Sequence, residues 1–158
     1  MHATTDLCDE LGEAARVCEP LFADFGGVDA FEGPIVTLET YEDNTKVRAT
    51  LEGAGEGWMF VVEGGGSTAC ALLGGKLAEL AETNGWAGVV IHGCVRDTAE
   101  IEAFAVGVKA LAAVPRKSLK DAAGEIGVPL NFAGVTFESG HYLVADRDGI
   151  IVLDAKPE

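Results

Sequence analysis

Apolar residues at Leu7, Leu11, Ala14, Ala15 and Cys18 recur three or four positions apart. That spacing places them on one helical face, so Thr4 to Val17 is expected to form a short amphipathic helix, ended by Pro20. Gly26-Gly27 and Gly33-Pro34 punctuate the next stretch as turns around Phe25, Val28 and Phe31. Three β-rich runs follow, Ile35 to Tyr41, Thr45 to Leu51 and Trp58 to Glu63. In the second, Val47, Ala49 and Leu51 alternate with polar neighbours, the period of a half-buried strand.

Beyond Gly64-Gly65-Gly66 the period changes. Ala69, Leu72, Leu73, Leu77, Leu80 and Ala81 fit a helix over Thr68 to Asn84, with Ser67 as its N-cap. Gly74-Gly75 interrupts it. Two adjacent glycines cost about 1 kcal/mol each inside a helix, so a break with a new helix starting there is the expected arrangement. Gly88 to Gly93 reads as a buried strand and Asp97 to Val106 as a helix, with Asp97-Thr98-Ala99-Glu100 in the form of a capping box. Val108 to Val114, Val128 to Phe137, His141 to Asp146 and Ile150 to Leu153 supply further strands, separated by turns at Gly134, Gly140 and Asp148-Gly149. The implied class is α/β, many-stranded, with an N-terminal helix. No repeat or linker divides residues 1–158, so one domain is expected.

Charge narrows the range of functions. With 11 Lys+Arg against 26 Asp+Glu the formal net charge is -15, which repels a phosphate backbone, so direct nucleic-acid binding is not expected. An acidic surface suits a basic protein segment, and it also simply keeps a protein soluble. Cys8, Cys18, Cys70 and Cys94 match neither a C-x-x-C pair nor a zinc framework and read as buried free thiols of a reducing compartment. With no basic-then-apolar leader in Met1 to Glu10 and no membrane-length apolar run, a cytoplasmic location with no membrane contact is expected.

Two stretches carry candidate chemistry. A helix starting at Gly74-Gly75-Lys76-Leu77 would offer unpaired backbone N–H groups to an anion, with glycines allowing close approach. Close helix packing would use the same glycines equally well. Arg96-Asp97 follows a buried strand, where α/β sheets commonly carry ligands. Arg96 suits bidentate capture of a carboxylate, and Asp97 suits a hard divalent cation. A capping box alone would also account for Asp97 and Glu100. Gly64-Gly65-Gly66 lacks the full dinucleotide fingerprint. His2, His92 and His141 show no metal-ligand spacing, and His92 reads as a hydrogen-bonded strand residue.

The segments GGGSTACALLGGKLAELAETNGWAGVVIHGCVRD, NFAGVTFESG, ADRDGIIV and, upstream, FADFGGVDAFEGP resemble the RraA family, regulators of ribonuclease E activity. The likeness runs from about Leu7 to Leu153. It implies a β/β/α swivelling-type fold and a ring-shaped homotrimer, with a ligand pocket near the subunit interface. It also implies two functional classes. Regulators bind ribonuclease E and inhibit its RNA cleavage. Their relatives are class II aldolases dependent on Mg²⁺ or Mn²⁺, which split 4-hydroxy-4-methyl-2-oxoglutarate and decarboxylate oxaloacetate. In those enzymes the segment matching Gly74, Gly75, Lys76 and Leu77, together with the match to Arg96, holds the pyruvyl part of a small 2-keto acid. The match to Asp97 holds the metal, and Arg96 is the catalytic candidate.

The aldolases resemble an acidic residue, twenty others, then Arg-Asp. Here Gly75 takes the acidic place and Glu100 follows Arg96-Asp97 after two residues, the regulator-like version. Relatives also commonly carry Asp at His141. The expected function is therefore a ribonuclease E inhibitor that retains a carboxylate pocket, with a working aldolase or decarboxylase as the alternative. An older methyltransferase label attached to such sequences finds no methyl-donor motif here.

Overall fold

A computed structural model describes residues 1–158. In chain order the elements are α1 (Thr4–Leu11), β1 (Arg16–Val17), β2 (Ala23–Asp24), β3 (Phe31–Glu39), α2 (Thr45–Leu51), β4 (Met59–Glu63), β5 (Ala71–Leu73), α3 (Gly75–Thr83) and β6 (Gly88–Val95). They continue with α4 (Thr98–Ile101), β7 (Gly107–Ala113), β8 (Glu125–Ile126), β9 (Leu130–Phe132), β10 (Val135–Phe137), β11 (Tyr142–Asp146) and β12 (Gly149–Leu153). The main sheet runs β1-β12-β11-β3-β4-β6-β7-β2. Its centre, β3-β4-β6-β7, is parallel, and β11 and β12 extend it antiparallel.

Parallel strands are buried on both faces, and the side-chain alternation shows it. Phe60 and Val62 pack on one side with Val47 and Leu51 of α2, Leu77, Ala78 and Ala81 of α3, and Ile101 of α4. Met59 and Val61 pack on the other with Leu130, Phe132, Val135 and Phe137 of the β9-β10 hairpin and with Leu143 and Val152. A third cluster seats Leu7 of α1 on Tyr142, Val144, Ile151 and Leu153. This is a mixed α/β single domain whose layers run β, β, α, as the resemblance implies. No helix is long and apolar enough to cross a membrane.

Several local expectations fail. Thr45–Leu51 is a helix, not a strand: Val47 and Leu51 are buried while Ala49 is exposed, so the inward period is four. The β-branched composition disguised it, and tertiary burial overrode the alternation. Residues 68–73 do not begin a helix. The chain leaves β4 at Glu63, turns through Gly65 and Gly66 at φ 69° and 71°, and returns as β5 beside the last residues of β6. β4 pairs the first part of β6 and β5 the remainder. The glycines thus serve a left-handed turn, and Ser67 Oγ accepts the Ala69 N–H in a local turn rather than capping a helix.

At the N-terminus α1 stops at Leu11, where Gly12 takes φ 56°, well before Pro20. The long run from Val128 is a hairpin. Its two turn residues, Ala133 and Gly134, both have positive φ, the twist that matches flanking strands.

Candidate functional site

The break at Gly74-Gly75 stands where the period predicted it, although strand rather than helix precedes it. Gly74 is extended at φ -128°, and the first helical bond of α3 is Ala78 N–H to Gly74 O at 3.0 Å. The N–H groups of Gly75, Lys76 and Leu77 therefore have no acceptor within the helix. That of Gly75 donates to Asp97 Oδ2 at 3.1 Å.

Asp97 sits at φ 57°, ψ 44°, the left-handed conformation that Asp tolerates better than most residues. Its side chain makes no capping bond to α4, which lasts only four residues. The capping-box reading is thereby overturned: the carboxylate turns to α3 instead of to its own helix. Arg96 is half-buried, and its N–H donates to Leu73 O at 2.9 Å, which ties the end of β6 to the end of β5.

Missing side chains matter here. A Cβ on Gly74 would lie 2.8 Å from Asp97 Oδ2 and 3.4 Å from Arg96 Cγ. A Cβ on Gly75 would lie 2.0 Å from Glu100 Oε2 and 3.0 Å from its Cβ. The two glycines are what let Arg96, Asp97 and Glu100 close over the start of α3.

These residues line a cavity of about 480 Å³. Its remaining wall comes from Asn44 and Arg48 of the α2 region and from Lys117, Ser118 and Lys120. Five of its lining residues, Arg48, Lys76, Arg96, Lys117 and Lys120, are cationic, in a chain with only 11 Lys+Arg. No carboxylate lies within ion-pairing distance of any of them. A cationic pocket on a strongly acidic protein focuses small anions.

The loop that brings Lys117 and Lys120 is fastened at three points. Ala71 N–H donates to Arg116 O at 2.8 Å, Leu119 N–H donates to Glu42 O at 2.8 Å, and the buried Asp43 carboxylate accepts from the N–H groups of Thr45 and Asp121. Burial pushes the Asp43 carboxyl upward, but the N–H donors of Thr45 and Asp121 and the Thr45 hydroxyl outweigh it and hold it below its ordinary value of 3.8.

A carboxylate with a depressed folded-state pKa stabilises the fold above the ordinary pKa, and that stability is lost as pH falls through the folded value. The protection of the Leu119 and Asp121 amides against hydrogen exchange, relative to their intrinsic rates at each pH, is accordingly expected to fall below about pH 4. Asp43→Ala is expected to cost on the order of 1–3 kcal/mol and to speed the same amides at neutral pH. Slow exchange in that variant would contradict the fastening role.

Arg96, Asp97 and the Gly74 to Leu77 turn line one cavity. Arg48, Asn44, Lys117, Ser118 and Lys120, which line it too, escaped the sequence reading. Arg48 was hidden by the strand reading of α2; the other cue was the clustering of Arg116, Lys117 and Lys120 in so acidic a chain.

Outside the pocket, His92 Nδ1 donates to Glu63 Oε1 over 2.6 Å and the ring stacks on Phe132 at 4.9 Å, a satisfied strand histidine as expected. All four cysteines are free, three buried and Cys8 half-buried, and burial pushes the Cys18 thiol up to about 12. No group of three or more His, Cys, Asp or Glu side chains is arranged so that it could hold a metal ion. Two carboxylates nevertheless line the cavity, and a small hard cation that keeps several waters needs only one or two from the protein, so Asp97 and Glu100 fit such an ion.

A family model described as RraA-like, Aldolase/RraA, matches residues 4–152. A protein of Alkalilimnicola ehrlichii, provisionally named a 4-hydroxy-4-methyl-2-oxoglutarate aldolase, is 53% identical over 149 residues, covering 94% of this chain and 92% of its own. A Thermus thermophilis structure described as the RNA-processing inhibitor RraA is 46% identical with a TM-score of 0.96, covering 100% of this chain and 96% of that one. A Geobacillus kaustophilus structure described as an S-adenosylmethionine: 2-dimethylmenaquinone methyltransferase is also 46% identical with TM-score 0.96, covering 98% and 96%. Three different activities are thus named on one architecture, so the choice among them has to come from the site.

Proposed function

The chain belongs to the RraA-like family, and from that premise we propose that its pocket is the active site of a divalent-metal-assisted carbon–carbon lyase. The substrate is a 2-keto acid: oxaloacetate in decarboxylation, 4-hydroxy-4-methyl-2-oxoglutarate in aldol cleavage. The observation that carries this reading is the Glu100 carboxylate lying over Gly75, 2.0 Å from the place of its absent Cβ. The aldolase-like acid missing from the sequence at Gly75 is supplied in space by Glu100.

Asp97 and Glu100 would hold Mg²⁺ or Mn²⁺, which when bound supplies Lewis-acid polarisation of the 2-keto oxygen. The first-turn N–H groups of Lys76 and Leu77 receive the carboxylate next to the keto group, helped by the helix dipole. Arg96 clamps the same end and stabilises negative charge as it develops on the 2-oxygen. In decarboxylation the bond between C3 and C4 breaks, the C4 carboxylate leaves as carbon dioxide, and C3 takes a proton to give pyruvate. Glu100 is placed to hold a water that delivers that proton. No methyl-donor chemistry is required of any of these groups.

Pyruvate release from both substrates is expected with Mg²⁺ or Mn²⁺ and is expected to vanish with chelator. No release under any metal would refute the lyase. We further propose a homotrimer, for which the exposed Tyr41, Leu119 and Ile126 offer apolar surface, so light scattering should report about three chain masses.

A second reading is favoured by the Thermus relative and by the net charge of -15. In it the protein also binds ribonuclease E through a basic segment and slows RNA cleavage without contacting RNA. Inhibition that weakens as salt rises would support it, because exposed charge pairs are screened.

A further inference from the structure

We propose that the α-amine of Met1, the main-chain nitrogen and Nδ1 of His2, and the Glu32 carboxylate form a site for a copper(II) or nickel(II) ion. Glu32 lines a depression that shares no residue with the pocket at the start of α3, so the inference goes beyond the keto-acid reading. Glu32 projects from β3 with its side chain only 13% exposed, and three nitrogens meet its carboxylate. His2 Nδ1 lies 2.9 Å from Oε2 and 3.2 Å from Oε1. The His2 main-chain N–H donates to Oε1 at 3.3 Å, and the Met1 amine lies 3.6 Å from the same oxygen.

The three nitrogens follow one another along the chain: an amine, the next amide nitrogen and the ring nitrogen of that same residue. One ion bonded to all three closes two fused chelate rings, and the carboxylate supplies the fourth donor. Each nitrogen now turns a hydrogen toward Glu32, and the ion takes the place of those hydrogens. Anchoring α1 does not require this convergence, because the Thr4 N–H and hydroxyl already donate to the two Asp146 oxygens at 2.9 and 2.8 Å. His92 and His141 also meet carboxylates, Glu63 and Glu138, but neither adjoins an α-amine. The spacing of His2 to other side chains gives no metal signal because the main chain supplies half of the donors.

The donor set selects the ion. Three nitrogens and one oxygen suit the tetragonal coordination of Cu²⁺ or Ni²⁺, and Cu²⁺ stands highest in the affinity order for such donors. Mg²⁺ and Ca²⁺ prefer oxygens and have only one carboxylate here. Binding is coupled to protons, since ligands must shed them before they bond. The Met1 ammonium gives up one, the His2 amide gives up another, and the Nδ1 hydrogen moves to Nε2. The two positive charges brought by the ion are thus matched by the two protons released, and the site keeps its net charge.

Titration of the chain with Cu²⁺, read by calorimetry and by electron paramagnetic resonance, is expected to show about one ion per chain, coupled to nitrogen nuclei. Release of about two protons per ion should make the affinity climb about 100-fold for each unit of pH near 7. Nα-acetylation removes the amine as a donor and leaves every packed side chain in place. It should lower the affinity by about 100-fold or more, and His2→Ala should do the same, whereas Glu32→Gln should cost about tenfold. Excess Mg²⁺ should not displace the ion. Undiminished affinity and nitrogen coupling in the acetylated chain, or displacement by Mg²⁺, would overturn the site. So would a parent that binds no Cu²⁺ or binds it through oxygen alone. None of these readouts needs a keto acid or turnover, so failure of the lyase would leave the ion site standing, and the reverse.

Discussion

Arg96→Ala is expected to lower oxalate affinity by on the order of 2 kcal/mol or more, about thirtyfold, while leaving the melting temperature nearly unchanged. Both halves follow from how Arg96 is held. Its structural contribution is the backbone N–H to Leu73 O bond at 2.9 Å, which Ala retains, whereas its guanidinium makes no ion pair in the protein. Removing the side chain thus subtracts from the ligand and hardly from the fold. Arg96→Lys should restore only part of the loss, since an ammonium cannot grip a carboxylate with two parallel bonds.

Asp97→Asn makes the complementary test. Asn adopts the left-handed backbone as readily as Asp and can still accept the Gly75 N–H, so folding should persist while the charge needed for a divalent ion is lost. Unchanged oxalate affinity in Arg96→Ala would move the carboxylate out of this cavity altogether.

How far the residues announced this site can be traced element by element. Gly74-Gly75 was legible because two glycines in an otherwise helical period violate a local rule, and such violations gather at functional sites. Arg96-Asp97 was legible because a turn after a buried strand is where a parallel sheet presents its carboxyl end. The capping box was misleading. Its four residues have the right types, but whether a side chain caps its own helix depends on the backbone angle of Asp97, which packing against α3 decides.

The same holds for α2 and β5. Thr45–Leu51 has a composition that suits either state, and Ala71–Leu73 is a strand only because the last residues of β6 extend beyond β4 and leave backbone groups to pair. The cations of the opposite wall depended on both errors, for Arg48 needs α2 to be a helix and Lys117 needs β5 to anchor its loop through Ala71. Long-range pairing of this kind leaves no periodic mark in a single chain.

Glu100 carries the largest expected effect on chemistry, because it decides whether Gly75 means a lost active site or a rearranged one. Glu100→Ala is expected to reduce metal-dependent oxaloacetate decarboxylation by about 10–100-fold, the range seen when a carboxylate beside a metal is removed. Gly75→Asp alone should not improve on the parent. Its Cβ would fall 2.0 Å from Glu100 Oε2, so the Glu100 side chain must swing aside, and two like charges would then compete for one space.

The double variant Gly75→Asp/Glu100→Ala removes both problems. It leaves one carboxylate beside Asp97, carried by α3 instead of α4, and should recover most of the activity that Glu100→Ala loses. The three variants with the parent form a double-mutant cycle in which the effect of Gly75→Asp changes sign according to whether Glu100 is present. Additive effects would mean that the two positions do not share one role. Full activity in Glu100→Ala would remove the acid from the chemistry and leave ribonuclease inhibition as the function that the site's geometry no longer disputes.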